Sequence, residues 1–113
     1  MKWKSLASLK NVPLSHGAIV RTPGEWPHEK VVDLLVFDAQ QYGSGMGLMV
    51  DSGYKSGLVL VILPADSNFG KGGALSSDWL RKNWRKWVYR SNPSSVMVCT
   101  RGRPKPRMPN VSR

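Results

Sequence analysis

The chain has 113 residues, of which 41% are hydrophobic and 21% are charged, and this composition is typical of one folded domain. Its Lys and Arg residues number 17 against seven Asp and Glu residues, so the formal net charge is +10 at pH 7. The longest uninterrupted apolar run, at residues 58–63, is far shorter than the roughly 20 residues that span a bilayer. The N-terminal sequence MKWKSLASLK also lacks an apolar stretch of signal-peptide length, so we expect a cytoplasmic protein.

The excess of positive charge predicts an acidic partner, which a nucleic acid, an anionic membrane or an acidic protein surface would each provide. The alternative is that the charge only keeps the protein soluble. The single cysteine, Cys99, excludes an internal disulfide framework and is expected to be buried in a strand as an inert thiol.

Runs of β-branched and large apolar residues predict strands at residues 18–21, 31–37, 48–51, 58–63 and 96–100. Glycines predict a turn at residues 43–47, and Asn, Asp, Gly and Pro predict a loop at 64–73. Prolines in the basic segment 101–113 argue against regular structure, so we predict a disordered basic tail after a single domain at residues 1–100.

An amphipathic helix is predicted at residues 78–89, with Ser76 or Ser77 as its N-cap. One apolar stripe places Trp84 and Trp87 in the core and leaves Trp79 at its margin. The opposite side carries four cations, Arg81, Lys82, Arg85 and Lys86. These elements predict the α+β class: a small, mostly antiparallel β-sheet with one amphipathic helix packed on it.

The segment SGYKSG, at residues 52–57, has glycines and a basic residue but is not a phosphate-binding loop. Tyr54 separates Gly53 from Lys55, and a strand rather than a helix follows. The pattern instead predicts the tip of a β-hairpin, with Gly53 or Gly57 at positive φ. The turn itself requires only the glycines, whereas the aromatic side chain of Tyr54 and the basic side chain of Lys55 suit a protein interface. That the segment is only a turn is an equal alternative.

Catalytic chemistry has little support in this sequence. His16 and His28 have no companion Cys or carboxylate at metal-ligand spacing, and the carboxylates are scattered singly. We therefore predict that the protein is not an enzyme and uses no cofactor or metal.

A nucleic-acid-binding function is the alternative hypothesis. Gly102-Arg103-Pro104 resembles the centre of an AT-hook, an extended basic arm that lies in a narrow minor groove. The basic helix face beside Trp79 would also suit single-stranded nucleic acid, although such a face is more often simply solvated. A solubilising tail accounts for the same residues equally well.

Two ordered motifs resemble the bacterial immunity protein 45 family of polymorphic toxin systems. They are GLMVDSGYKSGLVLVILP at 47–64 and ALSSDWLRKNWRKWVY at 74–89, and GEWPHE with the strand at 31–37 fits more loosely. The residues that carry the resemblance are Ser52, Gly53, Tyr54, Lys55, Gly57, Trp79, Asn83, Trp84, Trp87 and Tyr89. The long basic tail departs from the family pattern.

The resemblance implies a non-enzymatic antidote that binds the C-terminal toxic domain of a cognate toxin, as in contact-dependent growth inhibition. Because the chain is basic, we expect the facing surface of the toxin to be acidic, and we expect no membrane partner. The predicted partner-binding residues are Tyr54, Lys55, Trp79, Arg81, Lys82, Arg85 and Lys86.

Overall fold

The structure is a computed structural model, and it describes residues 2–24, 30–39, 45–53 and 55–101. Its strands are β1 (Lys4–Ser5), β2 (Pro13–Ser15), β3 (Ile19–Pro23), β4 (Val31–Asp38), β5 (Met46–Val50), β6 (Val59–Ile62), β7 (Ala74–Ser76) and β8 (Met97–Cys99). The helix α1 spans Ser77–Trp87, and short 3-10 helices lie at Leu6–Ser8, Ala65–Ser67 and Pro93–Ser95.

The described strands form two antiparallel sheets. Six of them follow the order β1-β8-β3-β4-β5-β6, and β2 pairs with β7 in a second, two-stranded sheet. Strands β3 to β6 are neighbours in the chain as well as in the sheet, whereas β8 enters between β1 and β3. The predicted α+β class, with a mostly antiparallel sheet and one helix, is confirmed. Strands β1, β2 and β7 were not predicted, because two or three residues are too few to show an alternating pattern.

The core lies between one face of the large sheet and α1. Val20 of β3 and Leu34 of β4 are paired across the strands and point to this face. Both are fully buried together with Leu80 and Trp84 of α1. Trp84 also has a polar partner, since its Nε1–H donates to the Ser91 hydroxyl at 3.0 Å. The prediction that Trp84 is a core residue is confirmed.

The second face of the sheet contains a close contact between an aromatic ring and a glycine. Phe37 of β4 is paired with Gly47 of β5, and its ring lies over the glycine backbone. A Cβ atom at Gly47 would stand 2.5 Å from the ring, so a larger residue there would require the Phe37 side chain to move. The predicted turn at 43–47 is therefore wrong at its end, because Met46 and Gly47 belong to β5.

Helix α1 begins at the predicted cap and ends two residues early. The Ser76 hydroxyl accepts a hydrogen bond from the Trp79 N–H at 3.3 Å, as an N-cap does. The last helical residue is Trp87, and Val88 is the C-cap. Cys99 lies in β8 and is buried, as predicted.

Some predictions concern residues outside the described ranges. These are Tyr54, His28, the first residues of the 43–47 turn, and the tail at 102–113. Arg101 is described, and it is exposed in a turn after β8.

Candidate functional site

The segment between β5 and β6 is the predicted hairpin. The Val50 N–H donates to the Leu58 carbonyl at 2.8 Å, and the Gly57 N–H donates to the Val50 carbonyl at 2.7 Å. Gly53 and Gly57 have positive φ angles of 72° and 94°. Glycine adopts this backbone conformation without steric cost, whereas residues with a Cβ atom rarely do. A strand follows the tip, so the backbone lacks the helix N-terminus of a phosphate loop.

The base of the tip is attached to β4 by hydrogen bonds. The Ser52 hydroxyl accepts from the Asp33 N–H at 3.0 Å, and the Asp51 N–H donates to the Asp33 carbonyl at 2.8 Å. Lys55 lies beyond these contacts and is exposed. The tip is thus held at its base and presents a cation at its outer end.

The cations of α1 do not all have the same environment. Lys82, Arg85 and Lys86 are exposed on the outer side of the helix. Arg81 is half-buried, because its guanidinium donates to the Leu9 carbonyl and forms an ion pair with Asp78. Arg81 thus joins α1 to the N-terminal segment, and the exposed cations of α1 are the other three.

Two tryptophans form an aromatic pair along the side of α1. The rings of Trp79 and Trp87 have centroids 5.9 Å apart and are inclined at 53°. Between them the Asn83 side-chain amide donates to the Trp79 carbonyl at 2.9 Å. Trp79 is half-buried, as the position at the margin of the stripe predicts.

The prediction that Trp87 is a core residue is wrong, since 37% of its surface is exposed. Trp87 lies in the last turn of α1, where it contacts Trp79 rather than entering the core. A periodic stripe marks the side of a helix that faces the protein. It does not show whether the protein extends to the last turn.

The outer strand of the large sheet forms a third exposed feature. β6 is at the end of the strand order, with β5 as its neighbour. Leu58, Val59 and Leu60 are exposed by 58%, 44% and 42%. Leu60 is at a bulge. Val59 is paired with Met49, and Val61 is paired with Leu48, the residue before Met49. Leu60 therefore has no opposite residue on β5. We call residues 58–62 the β6 edge.

The β6 edge was predicted as a strand but not as a binding surface. Its sequence signal, an apolar run without charges, is the same for a buried central strand and an exposed outer one. The order of strands in the sheet decides between the two.

The described residues include no group of three or more His, Cys, Asp or Glu side chains placed to hold a metal ion. His16, one of the two histidines, accepts a hydrogen bond at Nδ1 from the Asp38 N–H at 3.3 Å. Within the same ranges, no helix has the length and apolar character to cross a membrane.

These features define a small α+β fold that exposes basic and aliphatic surfaces on its large sheet and its helix. The chain belongs to the Immunity protein 45 family, whose family model matches residues 6–98. The match includes the hairpin and α1, which confirms the resemblance found in the sequence, and it stops before the basic tail. Comparisons with curated proteins and with solved structures give no match.

Proposed function

We propose that this protein neutralises a cognate toxin domain by binding it in a stoichiometric complex, without catalysing a reaction. The observation that carries the proposal is membership of the Immunity protein 45 family over residues 6–98. The family implies an immunity protein with a toxin as its partner. Neutralisation then requires only that the complex block the toxin's active site or a neighbouring surface that the toxin needs.

The exposed cations support a toxin surface that is acidic where it faces this protein. Lys55 extends from the hairpin tip, and Lys82, Arg85 and Lys86 extend from α1. Opposite charges speed the encounter of two proteins, while desolvated apolar contacts slow their dissociation. Tyr54 beside Lys55 and Trp79 beside the helix cations remain in the proposed contact set. Arg81 supports that set by holding α1 in place.

A growth assay tests the proposal. The C-terminal domain encoded by the gene immediately upstream is induced in a test bacterium, with and without this protein. We expect growth to be rescued and the two chains to purify together at a one-to-one ratio. Failure to rescue, with an active toxic domain and soluble protein, would contradict the proposal.

The helix cations are tested by reversing three charges together, in Lys82→Glu/Arg85→Glu/Lys86→Glu. The matched control reverses three exposed lysines near the N-terminus, in Lys2→Glu/Lys4→Glu/Lys10→Glu, and changes the net charge equally. We expect the helix variant to lower the association rate about tenfold or more at low salt. Equal effects of the two variants would show that overall charge, rather than the helix surface, directs binding.

Nucleic-acid binding is the second candidate function, and the exposed cations of α1 favour it together with the basic tail. It predicts an affinity for DNA or RNA that falls steeply with salt and decreases when residues 101–113 are deleted. Absence of binding at about 50 mM salt would remove this candidate.

A further inference from the structure

We propose that the β6 edge is the main docking site, where an extended segment of the toxin domain pairs with β6 and continues the sheet. The inference rests on the proposed function and adds to it the place and the mode of contact. It differs from the interface predicted from the sequence, which consisted of the hairpin tip and the helix cations.

Among the described residues, β6 has backbone groups on its outer side that no other strand pairs with. The Leu63 N–H donates to the Met46 carbonyl at 2.9 Å, so Leu63 faces β5. Adjacent residues of an antiparallel strand direct their N–H and C=O groups to opposite sides, so those of Ile62 point away from β5. No strand of the described ranges lies beyond β6. An added strand could therefore form hydrogen bonds with the outward N–H and C=O groups of Ile62.

The side chains at this edge lack the usual protection against such pairing. Natural edge strands commonly carry Lys, Pro or an inward-pointing charge, each of which discourages an added strand. β6 has the sequence VLVI and carries none of these. β6 is short and has a bulge at Leu60, and both features limit the number of residues that can pair, but Leu58, Val59 and Leu60 are exposed large hydrophobic residues. An exposed aliphatic edge of this kind favours association with another chain.

Charge decides which chain is the occupant. Two copies of this protein, each with a formal net charge of +10, repel each other when they approach edge to edge. A four-residue strand paired with its own copy also buries far less than the roughly 1,600 Å² of a standard interface. An acidic partner is attracted instead, and it can extend the contact from β6 to Lys55 at the hairpin tip. We therefore assign the edge to an apolar extended segment of the toxin, flanked by acidic residues.

Amide hydrogen exchange and one pair of variants test this assignment. The probe is the upstream-encoded C-terminal domain, purified with this protein after growth rescue has established the complex. Exchange at the Ile62 amide is measured by NMR on the free protein and on the complex. We expect the exchange rate to fall at least tenfold on binding, because the outward N–H becomes hydrogen-bonded.

The variants separate a local effect from a change in net charge. Leu60→Lys places a charge on the β6 edge, and Ala7→Lys adds the same charge at an exposed position beside β1, at the opposite edge of the sheet. We expect Leu60→Lys to raise Kd about tenfold or more and Ala7→Lys to change it less than about twofold. Thermal unfolding of both free variants shows whether the fold is intact.

The outcomes distinguish this inference from the function on which it rests. Without rescue and without a complex, the proposed function fails and the docking site fails with it. If the complex forms but Ile62 exchanges as before and Leu60→Lys binds normally, only the docking site is wrong. A dimer of the free protein that Leu60→Lys dissociates would show that the occupant is a second copy, which also overturns the assignment.

Discussion

Arg21 of β3 and Asp33 of β4 lie directly opposite each other and form a two-point ion pair on the second face of the sheet. Nε is 2.7 Å from Oδ1, and Nη2 is 2.9 Å from Oδ2. The Asp33 side chain is only 6% exposed, whereas that of Arg21 is 42% exposed. The guanidinium carbon is also 4.3 Å from the centroid of the Trp3 ring, a cation–π contact. The hydrogen bond to Asp33 raises the pKa of Arg21 above its ordinary value.

Removing Arg21 leaves the buried Asp33 carboxylate without its guanidinium. We expect Arg21→Met to lower the free energy of unfolding by about 1–2 kcal/mol, less than for a fully buried pair because Arg21 is half-exposed. Lys82→Met removes an exposed cation and should change stability by less than about 0.5 kcal/mol. Urea unfolding of both variants provides the measurement.

The double variant Arg21→Met/Asp33→Leu removes both charges from the same site. We expect it to recover part of the lost stability, because no carboxylate remains buried without the guanidinium. If the double variant were less stable than Arg21→Met, the carboxylate would be stabilised by its other contacts rather than by Arg21.

The two helix tryptophans should differ in their effect on stability. Trp84 has no exposed surface, and Trp84→Ala should cost about 3–5 kcal/mol, which unfolds much of the population of a marginally stable domain. Trp87 is 37% exposed, and Trp87→Ala should cost about 1 kcal/mol or less. Thermal unfolding followed by circular dichroism compares them, and equal losses would contradict the partly exposed position of Trp87.

The contact between Phe37 and Gly47 predicts a strong effect of one added methyl group. Gly47→Ala places Cβ against the Phe37 ring and should destabilise the protein by about 1–3 kcal/mol. Phe37→Leu in the same chain should restore part of that loss, since a smaller side chain makes room. Chemical denaturation of the two single variants and of the double variant measures the coupling, and strictly additive losses would argue against the contact.

Asp78 predicts a pH dependence of stability. Its carboxylate accepts a hydrogen bond from the Asn11 N–H at 3.1 Å and pairs with Arg81 at 3.0 Å. The first contact, aided by the second, holds the pKa of Asp78 below its ordinary value of 3.8. The ionised form therefore stabilises the fold above that value, and the stabilisation is lost as the pH falls through the lowered pKa.

Replacing the carboxylate with an amide tests this dependence. The difference in urea midpoint between the wild type and Asp78→Asn should be constant near neutral pH and should shrink as the pH falls below about 4. The two proteins differ only at residue 78, so comparing them at each pH isolates the contribution of Asp78. A difference that stays the same down to pH 2 would mean that the ionised side chain makes no net contribution.

The central elements were predictable because their residues repeat with the period of their secondary structure. β4 was predicted at 31–37 and lies at Val31–Asp38, and the N-cap of α1 is Ser76, one of the two predicted caps. The hairpin was predicted from the glycines at its tip, whose positive φ few other residues adopt. Each of these signals depends on neighbours in the chain.

The candidate site was less predictable, because its properties depend on contacts between distant segments. Lys82, Arg85 and Lys86 were predicted and are exposed, but Arg81 has the same charge and is engaged with Leu9. The sequence contains no signal for this contact, since the two residues are joined only when the N-terminal segment packs beside α1.

The sequence by itself determined the α+β class, the hairpin, the helix cap and the family, because local periodicity, turn chemistry and ordered motifs require no knowledge of the partners of each strand. Only the tertiary structure decided that β6 lies at the edge of the sheet, that Arg21 meets Asp33, and that Trp87 remains partly outside the core. These features follow from the order in which strands pair and from where the helix ends relative to the sheet. Long-range packing sets both, and no single segment of the chain encodes it.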